Sequence, residues 1–301
     1  MMKKIQNKII KLLKEKKAVL LAHNYQINEI QQIADFLGDS LGLAQKAAET
    51  EAKTIVFCGV KFMAETAKIL SPSKKVLLPE IDAGCPMAKM ITPEDILDLK
   101  KQHPEAKVVS YVNTTAEVKA VSDVCCTSSN AVEVVKNINA DKIIFTPDTN
   151  LGHWVQRFVD KKMIIWDGFC YVHSGITPEE VMQAKNKFPE APVIVHPECC
   201  KKVIDLADKV GSTGYMVKFA RESDSNHMII ATEAGLIERL QRENPDKKFY
   251  SVGLPKICQN MKKISLESVY FALENNQYEI NLSDKIINSA NKALKLMFEY
   301  S

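Results

Sequence analysis

Three cysteines, Cys85, Cys170 and Cys258, stand at equivalent places of an internal threefold repeat. The repeat is anchored at His23, Tyr111 and His196, which lie 88 and 85 residues apart; the cysteines follow these anchors by 62, 59 and 62 residues. A thiol kept at one place in every unit asks for more than packing. Three thiolates arriving from three units suit a metal centre with one position left open. Zinc is one candidate, although its sites are usually built from closely paired ligands. Ligands supplied by whole units also suit a [4Fe–4S] cluster in which one iron lacks a protein ligand and acts as a Lewis acid for dehydration. The remaining alternative is three buried structural cysteines, since free Cys is among the most buried residue types.

Each anchor closes an apolar run and opens a polar group of three: His23, Asn24 and Tyr25; Tyr111, Val112 and Asn113; His196, Pro197 and Glu198. Imidazole titrates near neutrality, and a phenol or carboxylate becomes an acid or base once a dry site shifts its pKa. Twelve residues after each anchor comes Asp35, Asp123 or Asp208, and five further on Ser40, Ser128 or Thr213. The hydroxyl residues fall at predicted helix starts. There they can cap the helix, typically worth about 1 kcal/mol, or present a hydroxyl and free N–H groups to an anion. Three such starts around one cavity predict a small substrate with several negative groups.

The elements that must position these residues follow from the apolar periodicity. Unit one reads as strands ending at His23, over 35–38, 54–59 and 75–78, with a short helix at 28–34 and longer ones after Ser40 and over 61–70. Unit two reads as strands at 107–112, 123–127, 142–146 and 162–166, with helices near 114–121, 129–138 and 150–159. Unit three has strands near 192–196, 209–211, 227–231 and 248–252. Short apolar strands alternating with helices predict parallel sheets covered on both faces. The expected fold is therefore α/β: three pseudo-equivalent three-layer αβα units with short parallel sheets around a pseudo-threefold axis. The units divide as 1–85, 86–170 and 171–264, with 265–301 packing beside the first. Sites in such sheets lie at the carboxyl ends of the strands, which is where the anchors, hydroxyls and cysteines all fall.

Composition narrows the partners. The 301 residues are 46% apolar and 26% charged with a formal net charge of +3, ordinary for a globular protein and weak as a signal for nucleic acid. No apolar run approaches the roughly 18 residues of a membrane span, and lysines interrupt the only stretch resembling a signal peptide. A cytoplasmic protein with reduced thiols is expected. Cys58, Cys125, Cys126, Cys199 and Cys200 lack threefold counterparts and read as packing residues.

The segments LAHNYQ (21–26), IADFLGDSL (33–41), GCPMA (84–88), YVNTTAE (111–117), SSNAVEVV (128–135), HPEC (196–199) and VGSTG (210–214) resemble those of the quinolinate synthase family, the A-type iron–sulphur enzymes of NAD biosynthesis. Around Cys170, WDGFCYVHSG keeps the spacing of Cys170 and His173. The resemblance runs from about residue 17 to the C-terminus. It implies condensation of iminoaspartate (iminosuccinate) with dihydroxyacetone phosphate to quinolinate, phosphate and water. It also implies a [4Fe–4S] cluster on Cys85, Cys170 and Cys258. The implied substrate-binding residues are His23, Ser40, Tyr111, Val112, Asn113, Ser128, His173, His196, Pro197, Glu198 and Thr213. Tyr25, Glu198 and His196 are the implied catalytic groups, with Tyr25 and Glu198 moving protons. An upstream aspartate-oxidising enzyme is the implied protein partner. The residues alone also allow another [4Fe–4S] hydro-lyase acting on a small anion, or a metal sensor without turnover.

Overall fold

The computed structural model describes residues 2–301. Its twelve strands are β1 (Ala18–His23), β2 (Phe36–Gly38), β3 (Thr54–Cys58), β4 (Lys75–Leu77), β5 (Lys107–Tyr111), β6 (Val124–Cys126), β7 (Lys142–Thr146), β8 (Lys162–Ile165), β9 (Val193–Val195), β10 (Lys209–Val210), β11 (His227–Ala231) and β12 (Lys248–Ser251). They form three four-stranded sheets with the orders β2-β1-β3-β4, β6-β5-β7-β8 and β10-β9-β11-β12. Every pairing within them is parallel, as in Leu21 with Phe36, Val109 with Val124 and Ile194 with Lys209. Three sheets of one topology, each flanked by helices, are the three αβα units expected from the repeat.

Parallel neighbours need crossover connections, and these put apolar side chains on both sheet faces. Sheet two shows the consequence: Val108 and Ile144 pack outward under the helix Pro93–Gln102, while Val109, Ile143 and Phe145 join the central core. Unit three repeats this with Val193, Val195 and Ile229 under the helix Pro178–Lys187. Both of these helices start with Thr-Pro and close a reciprocal capping box, Thr92 with Asp95 and Thr177 with Glu180. Ser265 opens the helix Leu266–Asn275 in the same way. That helix lies on the first helix, Met2–Glu15, while the last helix, Asp284–Glu299, packs across units one and two. Among the described residues no helix is long and apolar enough to cross a membrane.

The repeated aspartates and lysines explain themselves at the amino ends of the strands. Asp35, Asp123 and Asp208 each accept the N–H three residues before the anchor of their unit: Leu20 at 2.8 Å, Val108 at 2.9 Å and Val193 at 2.8 Å. β2 begins at Phe36, one residue later than expected, and Asp35 before it is tied to β1 by both its side chain and its N–H. Lys74, Lys161 and Lys247 donate to carbonyls at a helix C-terminus, among them Ala47 at 3.0 Å, Lys136 at 3.0 Å and Ala220 at 2.8 Å. A cation there answers both the unpaired carbonyls and the negative dipole end. The cysteines without counterparts are packing residues as expected: Cys58, Cys125, Cys126 and Cys199 are fully buried free thiols, and Cys200 is half-buried at a helix start.

Candidate active site

The carboxyl ends of the three sheets face one another, and a cavity of about 70 Å³ lies between them, room for roughly five waters. All three repeated cysteines line it, one per unit. The backbone N–H groups two and three residues further on favour each thiolate in the same way, those of Met87 and Ala88 for Cys85, of Val172 and His173 for Cys170, and of Asn260 and Met261 for Cys258. Burial nevertheless pushes all three thiols up, Cys85 to about 12. Cys85 senses both Cys258 and Cys170 electrostatically, so the three sulphurs face a common space. Three sulphurs from three units, surrounded by Phe62, Met63, Met87 and Met261, fit a cluster that binds thiolates and brings its own positive charge.

The strand-end side chains form a connected chain beside the cysteines. Tyr25 Oη lies 2.6 Å from Thr232 Oγ1 and 3.3 Å from His173 Nε2. Thr232 Oγ1 is also 2.9 Å from His173 Nε2. On the other side of that ring, Nδ1 stands 2.6 Å from Glu198 Oε2, and His173 stacks on His196 at a centroid distance of 4.3 Å. Burial raises the Tyr25 and Tyr111 hydroxyls well above 10, with the Glu198 charge adding to it, so both stay protonated. Burial lowers His23 to about 4 and His196 to about 3, so both rings are neutral at pH 7. Burial also works against an ionised Glu198, but His173, His196 and the Tyr111 hydroxyl outweigh it and hold the carboxyl at about 2. With His196 neutral, the His173 contact and the Tyr111 hydroxyl are what stabilise the anion. The cavity thus holds an ionised carboxylate at one end of an imidazole and a protonated phenol at the other.

The third group is the helix starts. Ser40, Ser128 and Thr213 all line the cavity. They are not the caps. Asp39 caps the helix Ser40–Glu49 through Gly42 N, and Ser212 caps the helix Thr213–Glu222 through Tyr215 N. Ser128 lies ahead of the helix Ala131–Asn137, and Thr115, not Ser128, caps the preceding helix Ala116–Val121. Capping therefore does not use the three hydroxyls, which removes the purely structural account of them. The residues beside them close the axis: Ser129 Oγ lies 2.7 Å from both Asp39 Oδ2 and Ser212 Oγ, one residue from each unit. Thr213 Oγ1 accepts from Asn24 Nδ2 at 2.8 Å.

Of the residues singled out in the sequence, His23, Tyr25, Ser40, Tyr111, Asn113, Ser128, His173, His196, Glu198, Thr213 and the three cysteines meet on this cavity. Val112 and Pro197 do not. Val112 faces a small neighbouring pocket with Ser40 and Phe62, and Pro197 is buried outside the cavity wall. Both occupy the middle place of a strand-end group, where Asn24 in unit one also points away, to Thr213 and Arg239. Sequence reading missed Thr232, which hides one residue past β11, and the cavity residue Asp39. Cys170, His173 and Glu198 could also hold a small ion, their ligand atoms lying within 4.8 Å of one another. In the geometry seen here His173 Nδ1 and Glu198 Oε2 are in close contact without the alignment of a hydrogen bond. Asn113 Oδ1 and Glu198 Oε1 are buried with no partner, acceptors left for a ligand.

Comparisons with known proteins point the same way. The family described as "Quinolinate synthetase A protein" matches residues 7–299. The chain is 54% identical over 299 residues to the quinolinate synthase of Caldicellulosiruptor saccharolyticus, covering 99% of both chains. It is 53% identical over 296 residues to that of Caldicellulosiruptor bescii, covering 98% of each. For that of Thermodesulfovibrio yellowstonii the identity is 51% over 298 residues, 99% of this chain and 98% of the relative.

Proposed function

The chain belongs to the quinolinate synthase family of enzymes, and from that premise we propose that it condenses iminoaspartate with dihydroxyacetone phosphate, giving quinolinate, phosphate and two waters for NAD biosynthesis. The observation that carries the reading is the convergence of Cys85, Cys170 and Cys258 with Ser40, Ser128 and Thr213 on one cavity, each set drawn from all three units. When bound on the three cysteines, a [4Fe–4S] cluster supplies an iron without a protein ligand, a Lewis acid for the departure of hydroxyl.

The chain's own residues supply binding and proton movement. Ser40, Ser128 and Thr213 donate hydroxyl hydrogen bonds to the carboxylates of one substrate and the phosphate of the other, aided by the N–H groups of the helix starts. The neutral rings of His23 and His196 and the protonated Tyr111 donate to substrate oxygens without adding a competing anion. Glu198 removes a proton from the condensing carbon framework. Tyr25, protonated at Oη, delivers one to a leaving oxygen, and His173 links the two sites. The apolar wall of Phe62, Met63, Met87 and Met261 excludes water from the imine, which hydrolyses readily in water. That lability gives a reason for the upstream aspartate-oxidising enzyme to deliver the imine directly as a partner.

The test is a turnover assay under argon with reconstituted protein, generating the imine in place and adding dihydroxyacetone phosphate. Quinolinate formation that needs both substrates supports the reading. A protein that carries the cluster but dehydrates a different small acid would replace it with another hydro-lyase, and a cluster without any turnover would leave a sensor.

A further inference from the structure

Thirty-seven residues after the three anchors stand Val60, Asp148 and Glu233. At this place each unit turns from its third strand into a helix: Lys61–Leu70, Thr149–Gln156 and Ala234–Glu243. The next backbone N–H reaches across to the carbonyl two residues before the cysteine in every unit. The pairs are Lys61 to Ala83 at 2.8 Å, Thr149 to Gly168 at 2.7 Å and Ala234 to Lys256 at 2.9 Å. So far the units agree, and then they part. In units two and three the side chain is a carboxylate with 0% exposure, and its two oxygens do different things. Asp148 Oδ1 caps its helix through Leu151 N at 2.7 Å, while Oδ2 accepts Cys170 N at 3.2 Å. Glu233 Oε2 accepts Gly235 N at 2.6 Å, while Oε1 accepts Cys258 N at 3.1 Å and Lys262 Nζ at 2.9 Å. Unit one has Val60, a helix start without a side-chain cap, and no carboxylate on the Cys85 N–H.

A buried carboxylate is an expensive way to cap a helix. Other helices of this chain use hydroxyls instead, such as Thr92, Thr115, Thr177 and Ser283. A hydroxyl offers one acceptor position to one N–H. A carboxylate offers two oxygens pointing in different directions, which lets one residue tie a helix start to a cysteine. The cysteine loop of unit two is also sterically set: a Cβ on Gly168 would lie 2.4 Å from Pro147 O. We propose that Asp148 and Glu233 are positioning residues that hold Cys170 and Cys258 in the geometry that receives the cluster, a support that the Cys85 N–H, beside Val60, does not have among the described residues. The assignment rests on the three-cysteine reading of the site. It divides the three ligands into two backed by a carboxylate and one held by its backbone strut alone.

The test uses Asp148→Asn, Glu233→Gln and Asp148→Val, the last copying unit one. An amide keeps one acceptor for the helix cap and turns its NH₂ towards the cysteine N–H. In anaerobically reconstituted protein the cluster should pass to an iron chelator roughly 10- to 100-fold faster in all three variants, the usual range for partners behind a metal ligand. In cluster-free protein, alkylation followed by peptide mass mapping reads the three thiols separately. Cys170 alone should accelerate in the Asp148 variants, and Cys258 alone in Glu233→Gln. Release at the unmodified rate overturns the proposal, and so does equal acceleration at all three cysteines, which would mean general loosening. Unmodified protein that takes up no iron and sulphide would remove the site reading and the proposal together, whereas a normal cluster held equally by the variants would remove the proposal alone.

Discussion

The amino ends of the three sheets are near copies of one another, and the carboxyl ends are not. At the amino ends Asp35, Asp123 and Asp208 accept the same strand N–H at 2.8, 2.9 and 2.8 Å, and three equivalent lysines close three equivalent helix ends. At the carboxyl ends the anchors are His, Tyr and His, the residues two further on are Tyr, Asn and Glu, and the helix-turn residues are Val, Asp and Glu. Only the cysteine and the small hydroxyl persist through all three units there. What each sheet needs in order to fold recurs in every unit. What one asymmetric substrate pair needs in order to react is divided among them, because a cavity on a pseudo-threefold axis meets each unit with a different part of the ligand.

Substitutions at the two ends should therefore fail in different ways. The largest effect belongs to the shared thiols: replacing Cys85, Cys170 or Cys258 singly by Ser should abolish the brown chromophore and turnover, while far-UV circular dichroism stays near normal. Tyr25→Phe and Glu198→Gln come next. Each should keep the cluster spectrum and lower turnover on the order of 10²- to 10⁴-fold, the range of a lost general acid or base. Near-normal turnover in either would take that residue out of the chemistry.

Acid stability gives an effect of similar size. His196 is buried and held near 3 against about 6.5 when unfolded, so the unfolded chain binds the extra proton between those values. The contribution of the neutral ring is fully present above pH 6.5 and is lost as pH falls through that window, on the order of 3 kcal/mol by pH 4. In cluster-free protein, His196→Gln should flatten this part of the stability curve; an unchanged curve would mean the ring is not buried neutral. Ser40→Ala, Ser128→Ala and Thr213→Val should each weaken a dicarboxylate or phosphate ligand by roughly 10- to 150-fold, since a hydrogen bond to a charged group is worth about 1.5 to 3 kcal/mol. Loss of melting temperature without loss of affinity would return them to a structural role. The smallest functional effect belongs to the amino ends: Asp208→Ala should lower the melting temperature by a few degrees with turnover intact. Turnover falling in step with the carboxyl-end variants would erase the distinction between the two ends.

The sequence displayed what the repeat preserved. Apolar runs ending at His23, Tyr111 and His196 placed the strands, and the shared spacing of Cys85, Cys170 and Cys258 placed the thiols together. It concealed what the repeat broke. Asp148 and Glu233 share a position, yet Val60 in unit one hides the pattern, and an acidic residue before a helix reads as an ordinary cap. Thr232 sits one residue past a plain apolar strand, and nothing local marks it as a partner of Tyr25 on another unit. Asp39 and Ser40 were both open as a helix cap and Asp39 serves, while the third helix is capped by Ser212 and not Thr213, because each pair offers two capping side chains and only tertiary contact decides between them. Val112 and Pro197, implied by the resemblance, do not line the cavity here, since successive side chains at a strand end point to opposite sides.

Everything above depends on the three thiols holding one cluster, and metal content measures that most directly. Protein purified under argon and analysed for iron, labile sulphide and zinc should carry iron and sulphide in equal amounts, four of each per chain, with negligible zinc. Stoichiometric zinc without labile sulphide would contradict the account.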